Sequence, residues 1–370
     1  MKQMQFAAIV MMTLLTLKLL LLPNRLTGKN IVNRARWLMA AGISLLDVQF
    51  ILQYKLELRT MGVTQAVMVN ILMFIPCSAL LSIAIQHLQR QGRIGFWDRW
   101  IGLVAWVGAA ALMAGAIVYD GQPLLADTPE RHSAQVGAAL CYFAMQCYYT
   151  YRSLINLHAM SRAMHNYYDR DMDGILRWMK YSIIFLAVLA IMAPLLIFRW
   201  GMLLAVYSIL AFGCIFYFVD SFCSYVVSSA PAKVEEAEKS EEEEESECTK
   251  VQEKTEEISE NMQRVEKAVA KWKEKGGHLK SGLKLPSAAE GIGVPQYLLS
   301  TWLRTKGMKY NEWMTDLRIE EAKNMLLSNR EWSNEYIAQR CGFNDRSYFQ
   351  RKFKERTGIS PADFIEHQAS

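Results

Sequence analysis

The stretch CGFNDRSYFQRKFKERTGISPADF, residues 341–364, has the pattern of the second half of a helix-turn-helix that covers about 333–356. Gly342 lies where such a motif turns, because glycine adopts a left-handed backbone conformation at little cost. Asp345 follows at the position of an N-cap, where its carboxylate can accept a hydrogen bond from the first turn of the next helix. The spacing therefore predicts a turn followed by a helix that begins after Asp345.

The predicted helix has one aromatic face and one polar face. Phe349 and Phe353 lie one helical turn apart, so the residues between them point in other directions. Those residues are Arg346, Ser347, Gln350, Arg351 and Lys354. Arginine and glutamine can bond two atoms of a base edge in the major groove, whereas lysine suits phosphates. We therefore expect these five residues to contact DNA.

The same stretch resembles the signature of AraC/XylS-type bacterial transcription regulators, which is roughly G-F-x-[DN]-x-S-Y-F-x-R-x-F-K-x-x-x-G-x-[ST]-P-x-x-[FY]-R. The matching residues are Gly342, Phe343, Asp345, Ser347, Tyr348, Phe349, Arg351, Phe353, Lys354, Gly358, Ser360, Pro361 and Phe364. Ile365 stands where the pattern has its final arginine. The resemblance implies an all-α domain over 261–370, in which two helix-turn-helix units joined by a long helix bind promoter DNA.

A first helix-turn-helix unit is expected upstream, near residues 287–304. The sequence leaves the register of its recognition helix open. The buried pair is Leu298 and Trp302 in one register, and Leu299 and Leu303 in the other. In most versions the residues that face the groove are Gln296, Tyr297, Ser300 and Arg304.

A linking helix is expected over 311–327, where Trp313, Leu317, Ala322 and Leu326 recur at near-helical spacing. At about 1.5 Å per residue this helix spans roughly 25 Å. Successive major-groove turns on one face of DNA are roughly 34 Å apart. The linking helix therefore has a length that suits two recognition helices in neighbouring groove turns.

Residues 1–227 are strongly apolar, with their charges gathered between hydrophobic runs. Seven of these runs are long enough to cross a bilayer. They lie near 4–22, 37–54, 63–86, 100–119, 135–157, 180–198 and 201–226. Lys18 interrupts the first run and no small-residue cleavage site follows it, so we expect a retained helix rather than a signal peptide. The sequence predicts a polytopic bundle of about seven transmembrane helices.

Basic residues concentrate in alternate predicted loops, as the positive-inside tendency requires of cytoplasmic loops. The first, third and fifth loops hold Arg25, Lys29, Arg34, Arg36, Arg90, Arg93, Arg99, Arg162, Arg170, Arg177 and Lys180. Tryptophans at predicted span ends are Trp37, Trp97, Trp100, Trp178 and Trp200. We expect a bacterial cytoplasmic membrane protein with its N-terminus outside and its C-terminal DNA-binding domain in the cytoplasm.

A change of composition separates the apolar region from the helix-turn-helix units. Residues 230–260 hold 13 acidic and 4 basic residues, including consecutive glutamates at 241–245. This composition is typical of a disordered or loosely helical segment, so we expect an acidic linker over 228–260. It could act as a solvated spacer or as an autoinhibitory element that competes for the groove-facing arginines.

Residues 251–272 carry apolar residues at alternating four- and three-residue steps, apart from Thr255. These residues are Val251, Ile258, Met262, Val265, Val269 and Trp272. The pattern fits a short parallel coiled coil that makes a homodimer. It equally describes the first core helix of the DNA-binding domain, and the sequence leaves both interpretations open.

Other kinds of site lack support in the sequence. The seven cysteines are scattered, without C-x-x-C or a histidine at ligand spacing, so we expect neither a metal site nor disulfides. We find no glycine-rich phosphate loop or nucleophile elbow, and therefore expect no cofactor and no enzymatic activity. Asp47 lies near the middle of the second span, where a carboxylate is costly unless it is neutral, paired or facing a cavity. Structural pairing and a role in sensing a ligand or proton both remain open for it.

These features predict a membrane-bound, sequence-specific and signal-responsive transcription regulator, with promoter DNA and the lipid bilayer as its partners. The signal ligand is not identified by any motif. The alternative is a membrane transporter or receptor whose cytoplasmic tail serves autoregulation or protein contacts. A transporter is expected to show broken helices or repeated halves, and Pro76 and Pro194 are the candidate interruptions.

Overall fold

The apolar and amphipathic patterns of the sequence form helices. A computed structural model describes residues 2–23, 30–57, 63–122, 126, 128–169, 172–192, 201–228, 230–251, 255–329 and 331–367. Within these ranges no sheet is present, and an isolated antiparallel bridge joins Tyr168 and Lys284. The predicted all-α fold is confirmed.

The residues separate into two units. Met1–Ala159 together with Ile175–Pro231 forms the first, which we call the apolar unit. Met160–Gly174 together with Ala232–Ser370 forms the second, which we call the C-terminal unit. This division differs from the expected boundary after residue 227, because the segment at 160–174 packs with the C-terminal unit.

The apolar unit is built from long helices. They are α1 (Lys2–Leu20), α2 (Asn30–Lys55), α3 (Val63–Gln89), α4 (Phe96–Asp120), α5 (Pro129–Tyr167), α6 (Asp173–Met192) and α7 (Gly201–Val227). The last residues of α5, from Met160 onward, belong to the C-terminal unit. Within the apolar unit, Ile75 of α3, Ala109 of α4 and Tyr149 of α5 are fully buried in one hydrophobic cluster.

Five described helices are long and apolar enough to cross a membrane. These are Asn30–Lys55, Val67–Gln89, Phe96–Asp120, Asp173–Met192 and Ile209–Val227, and Gln5–Leu20 is a shorter apolar helix. The predicted span at 135–157 lies inside α5, which is helical over its whole length but less apolar. Residues 193–200, which include the end of the predicted span at 180–198 and the junction to the next span, lie outside the described residues. The count of seven spans therefore stays a prediction.

The C-terminal unit holds the remaining helices. They are α8 (Ala230–Val251), α9 (Thr255–Glu274), a 3-10 turn (Gly277–Leu279), α10 (Leu285–Ile292), α11 (Gln296–Thr305), α12 (Tyr310–Ser328), α13 (Asn334–Arg340), α14 (Arg346–Thr357) and α15 (Pro361–His367). The first helix-turn-helix is formed by α10 and α11, the linking helix by α12, and the second helix-turn-helix by α13 and α14. Their bounds lie within a few residues of the expected ones.

Two hydrophobic cores lie along the linking helix α12. The first core packs α9, α10 and α11 against Trp313 of α12, whose ring centroid is 6.0 Å from that of Trp272 and 5.8 Å from that of Trp302. The second core packs α13 and α14 against the later part of α12, which supplies Ile319 and Leu326. One helix therefore stabilises both helix-turn-helix units.

Helix α9 settles part of the heptad question. Val265, Val269 and Trp272 are buried in the first core, and Met262 packs against it. These residues therefore act as the first core helix of the DNA-binding domain. Pairing of two protomers through the same seam stays a prediction, and residues 252–254 of that seam lie outside the described residues.

The acidic segment differs from the expected spacer. Residues 230–251 form helix α8, in which Val234 and Ala237 are fully buried and Ser240 is nearly so. Val234 and Ala237 are three residues apart, so they lie on one face that packs within the C-terminal unit. Glu243, by contrast, is exposed. A helix with one small apolar face explains why this segment packs despite its charge.

Candidate nucleic-acid interface

The second recognition helix, α14, begins and ends where the sequence predicts. The Asp345 side chain accepts a hydrogen bond from the backbone N–H of Tyr348 at 2.6 Å, which caps the helix. Gly358 ends it in a left-handed conformation. In the turn before it, Gly342 has a φ of 82°, and a Cβ there would lie 2.5 Å from the backbone oxygen of Leu279. The turn therefore needs glycine for its conformation and for its space.

Helix α14 presents the predicted DNA-contacting residues on its outer side. Phe349 and Phe353 are fully buried on the inner side. Arg346, Ser347, Arg351 and Lys354 are exposed, and Gln350 is half-buried. The guanidinium of Arg351 lies over the Tyr348 ring, 5.4 Å from its centroid. This contact holds Arg351 along the helix surface.

Not every basic residue of α14 is available for DNA. Arg356 Nε donates a 2.5 Å hydrogen bond to Asp316, and Lys352 Nζ pairs with Glu355 at 2.9 Å. Arg346, Gln350 and Lys354, in contrast, have no side-chain partner within the described ranges. Their polar groups can therefore bond DNA without breaking a contact in the protein.

The first recognition helix, α11, uses three buried residues rather than two. Leu299, Trp302 and Leu303 are all buried, and Leu298 is partly buried. The structure thus combines the two registers that the sequence left open. Helix α10 runs through Gly291 to Ile292, and Gly293, which has a φ of 84°, caps it.

The predicted contact residues of α11 are less free than those of α14. Arg304 is exposed, whereas Gln296, Tyr297 and Ser300 are half-buried. The amide nitrogen Nε2 of Gln296 donates a 2.6 Å hydrogen bond to Oγ of Ser240 in the acidic helix α8. The acidic helix therefore engages the first recognition helix directly.

A second group of contacts holds α8 beside the first helix-turn-helix. Nζ of Lys284, just before α10, lies 2.6 Å from Oε1 of Glu236, and the hydroxyls of Tyr167 and Tyr168 donate hydrogen bonds of 2.9 and 3.1 Å to the same carboxylate. Partial burial favours the neutral acid, but the hydrogen bonds from Lys284 and the two tyrosines outweigh it and hold the pKa of Glu236 below its usual range. Sequence reasoning missed this cluster because its members come from three separate segments.

A buried ion pair lies between the two cores of the C-terminal unit. Nη2 of Arg318 is 2.7 Å from Oδ2 of Asp169, and both side chains are almost fully buried. Arg318 also donates to the backbone oxygens of His278 and Lys280, at 3.0 and 2.7 Å. Asp169 accepts a further hydrogen bond of 2.9 Å from the backbone N–H of Leu283. Asp169 thus neutralises an arginine in the middle of the linking helix, and no sequence motif indicated this role.

The proposed sensing residue Asp47 has a partner in the apolar unit. Its Oδ2 accepts a 2.9 Å hydrogen bond from the Thr13 hydroxyl, and its Oδ1 is buried without one. A cavity of about 70 Å³ lies within the same unit, lined by residues that include Gln49, Asn70 and Tyr142 but not Asp47. Nε2 of Gln49 donates to Oδ1 of Asn70 at 2.7 Å, which leaves Oε1 of Gln49 buried without a partner. The described residues that line this cavity carry no charge.

The described residues contain no cluster of three or more histidine, cysteine, aspartate or glutamate residues that could hold a metal ion. Six cysteines are free thiols in the same part of the chain.

Comparison with known proteins agrees with the geometry of the C-terminal unit. Residues 288–367 match the family described as "Helix-turn-helix domain". These residues form an AraC-type helix-turn-helix domain, which confirms the resemblance seen in the sequence.

Several characterised and uncharacterised regulators are similar to this region. The chain is 34% identical over 85 residues to the arabinose operon regulatory protein of Escherichia coli, which covers 23% of this chain and 29% of that protein. It is 33% identical over 85 residues to the uncharacterised HTH-type transcriptional regulator YijO of Escherichia coli, covering 23% and 30%. It is 33% identical over 75 residues to the uncharacterised transcriptional regulatory protein YesN of Bacillus subtilis, covering 20% of each chain.

These matches span less than a third of the length of the relatives. They concern the DNA-binding domain alone. No solved structure matches the chain significantly.

Proposed function

We propose that this protein is a membrane-bound, signal-responsive transcription regulator that binds promoter DNA through its two helix-turn-helix units. The observation that carries the proposal is the outer face of α14, where Arg346, Gln350 and Lys354 have no side-chain partner among the described residues, while the aromatic inner side is fully buried. Arginine and glutamine supply bidentate contacts to base edges, and lysine supplies a contact to phosphate. The linking helix α12 contributes to the hydrophobic cores of both helix-turn-helix units. It therefore joins them firmly, as recognition of two DNA sites requires.

The DNA-binding part is tested by measuring the affinity of the intact protein for its promoter sites and for random DNA. Arg346→Ala and Gln350→Ala should each relax preference at one base pair by about 1–3 kcal/mol. Lys354→Ala should weaken all sequences alike and reduce the slope of log affinity against log salt by about 0.9.

Lys352→Ala is the matched control on the same helix, because Lys352 is paired with Glu355. It should change neither preference nor salt slope. If the Arg346, Gln350 and Lys354 variants lose affinity for specific and random DNA equally, the assigned face does not read bases.

The membrane location is supported by the five long apolar helices and by the distribution of basic residues among the predicted loops. A reporter fused after Val227 should be active only if it requires the cytoplasm, and one placed in the 120–133 loop only if it requires the outside. The opposite pattern would place the DNA-binding domain away from DNA. That result would end the proposal for the whole protein.

Signal response is supported by the polar groups inside the apolar unit. Asp47 keeps one unpartnered oxygen, and Gln49 presents an unpartnered oxygen at a cavity. Buried polar groups within a membrane are costly, and this cost makes them candidates for ligand or proton binding. Asp47→Asn and Gln49→Leu should shift promoter output at equal protein level, whereas Gln86→Leu, a buried glutamine that does not line this cavity, should not. Unchanged output in both test variants would leave the apolar unit as an anchor.

A further inference from the structure

A second pocket of the apolar unit combines cationic and apolar walls. Its volume is about 570 Å³, and α2, α3, α4 and the turn after α3 line it. The cationic part consists of Arg34, Arg99 and the imidazole of His87. The remaining lining side chains are apolar: Trp37, Leu38, Ala41, Ile83 and Ile94. A site with this division suits an amphiphile with a negative head.

The two arginines of this pocket have no counterion in the part of the chain that the structure describes. Neither Arg34 nor Arg99 has a hydrogen bond or ion pair with any residue that the structure describes. Both side chains are exposed at the pocket, so the guanidinium groups can reach a bound molecule. An arginine fork binds the oxygens of a phosphate through two parallel hydrogen bonds.

The carboxylate next to Arg99 in the chain is already neutralised by other residues. Asp98 precedes Arg99 in the chain, but its side chain is 1% exposed and lies 3.2 Å from Arg90 and 3.2 Å from Arg152. It also accepts a 2.8 Å hydrogen bond from the Tyr148 hydroxyl. Two arginines and a tyrosine therefore saturate Asp98, and the positive charge at the pocket stays uncompensated.

His87 adds a second and independent sign of a ligand. Its side chain is 5% exposed, and neither ring nitrogen has a hydrogen-bond partner. Buried polar groups in proteins are nearly always paired, so an unpaired one needs an explanation. Gly92, with a φ of 85°, packs against the ring, and a Cβ there would lie 3.5 Å from Cε1 of His87. The ring is thus held at the pocket wall, where an N–H can donate to a bound oxygen.

We propose that this pocket binds the phosphate group of an anionic phospholipid, with Arg34, Arg99 and His87 on the phosphate and the apolar walls against the first part of the acyl chains. Trp37 is half-exposed at the pocket, as is common for aromatic residues at the membrane surface. Basic pockets between transmembrane helices on the cytoplasmic side are suited to anionic headgroups. The inference rests on the proposed membrane location and adds a lipid partner to it.

The test compares two phospholipids that have the same acyl chains and headgroups of different net charge. The full-length protein is reconstituted in nanodiscs of equimolar phosphatidylglycerol and phosphatidylcholine with identical acyl chains, and the lipids retained after transfer to detergent are quantified. The wild type should retain phosphatidylglycerol in excess. Arg34→Ala and Arg99→Ala should each lower that excess about fivefold, which corresponds to ~1 kcal/mol for one basic residue at an anionic surface.

Two further variants separate a built site from general surface charge. His87→Phe keeps an aromatic ring and, for a neutral imidazole, the net charge, and it should still lower the excess. Arg177→Ala removes an exposed arginine from α6 on the same predicted side of the membrane, outside the pocket, and should leave the excess unchanged. If the circular dichroism or thermal melting of Arg34→Ala departs from that of the wild type, Arg34→Gln is measured in its place.

The outcomes distinguish a lipid phosphate from a soluble phosphate. They also distinguish failure of the proposed pocket from failure of the proposed membrane location. Equal loss in the pocket variants and in Arg177→Ala, or no loss in any of them, would overturn the pocket. Displacement of the retained lipid by glycerol 3-phosphate would assign the site to a soluble phosphate and overturn the lipid. A protein that is membrane-inserted but shows no lipid selectivity refutes this inference alone, whereas absence from the membrane fraction refutes the proposed location.

Discussion

The two recognition helices of the C-terminal unit have the same backbone role and different surroundings. Helix α14 carries five basic residues and one acidic residue, and its Arg346, Gln350 and Lys354 have no side-chain partner among the residues that the structure describes. Helix α11 carries a single basic residue, Arg304, and its Gln296 is bonded to the acidic helix α8. We therefore expect base reading and phosphate attraction to be concentrated in the second helix-turn-helix.

The first helix-turn-helix instead contacts other segments of the C-terminal unit. Its core includes α9, and Lys284 just before α10 pairs with Glu236 of α8. The same carboxylate accepts hydrogen bonds from Tyr167 and Tyr168, at the end of α5. From this difference we expect that the second helix-turn-helix binds DNA more strongly, and that the first lies where other segments can influence binding. Four predictions test this contrast.

The largest effect is expected at the ion pair between the two cores. Asp169→Ala leaves the guanidinium of Arg318 buried without a carboxylate, which typically costs about 3–5 kcal/mol. The C-terminal unit should become less stable, and binding to two-site DNA should fall more than binding to a site read by the second unit alone. Hydrogen exchange of the full-length protein, together with titrations of both DNAs, measures the two effects.

Asp173→Ala is the matched control for that experiment. Asp173 is an exposed carboxylate in the same segment, paired with His165 and Ser161. Its removal should change stability by less than about 0.5 kcal/mol, as is usual for surface sites. Equal losses in the two variants, or equal losses on both DNAs, would show that Asp169 does not set the relation between the units.

The next effect concerns acid. His278 is buried beside Trp272, at the first core of the C-terminal unit. Its burial, together with the nearby charges of Lys273 and Arg318, lowers its pKa to about 4. The unfolded chain takes up a proton near the ordinary histidine pKa of about 6.5. Between these values the unfolded state binds more protons, so stability is intact above about 6.5 and falls as the pH drops towards 4.

The full loss across that window is on the order of 2–3 kcal/mol. In the second helix-turn-helix, burial raises the pKa of the Cys341 thiol to about 12 and keeps this buried group neutral throughout the window. Hydrogen exchange at pH 7 and pH 5 should show faster opening of α9 and α10 but not of α14. His278→Phe should remove most of this difference, and a pH response that persists in that variant would assign it to carboxylates.

The second unit could be predicted in detail from sequence, because its determinants are local. Gly342 supplies the turn, while Ser333 and Asp345 cap α13 and α14, and the structure has each in that role. The register of α11 could not be predicted in the same way. Trp302 is buried beside Leu299 and Leu303 because α9 and α12 enclose the helix from two sides. That enclosure depends on Trp272 and Trp313, which belong to the helices α9 and α12 and not to α11 itself.

The site also contains residues that no local pattern could reveal. Asp169 is 149 positions from Arg318 along the chain, so their pairing appears only in the fold. The acidic segment was expected to be solvated, since its charge dominates any window of the sequence. Val234 and Ala237 are few and small, yet they give α8 a buried face. The charge of this segment alone therefore does not predict the contact between Ser240 and Gln296.

A third prediction compares two glutamines with the same chemistry. Gln350→Ala should cost about 1–3 kcal/mol on the cognate site, because Gln350 is free to form a bidentate contact with adenine. Gln296→Ala should cost less than about 1 kcal/mol, because a base contact there replaces an existing hydrogen bond to Ser240. Binding of the intact variants to a library of single-base changes provides the measurement. Equal costs would show that the acidic helix does not restrain the first recognition helix.

The smallest effect is expected from releasing that restraint. Ser240→Ala removes the acceptor of the 2.6 Å hydrogen bond from Gln296, so a contact of the amide with DNA no longer has to replace that bond. One such hydrogen bond is worth about 0.5–1.5 kcal/mol, so affinity for two-site DNA should rise roughly two- to tenfold. Affinity for DNA that holds the second half-site alone should stay the same. Glu243→Gln, which neutralises an exposed charge of α8, is the control, and an equal gain there would mean that α8 acts through its net charge. A fall in affinity for Ser240→Ala would reverse the interpretation, because it would show that α8 holds α11 in the position that binds DNA.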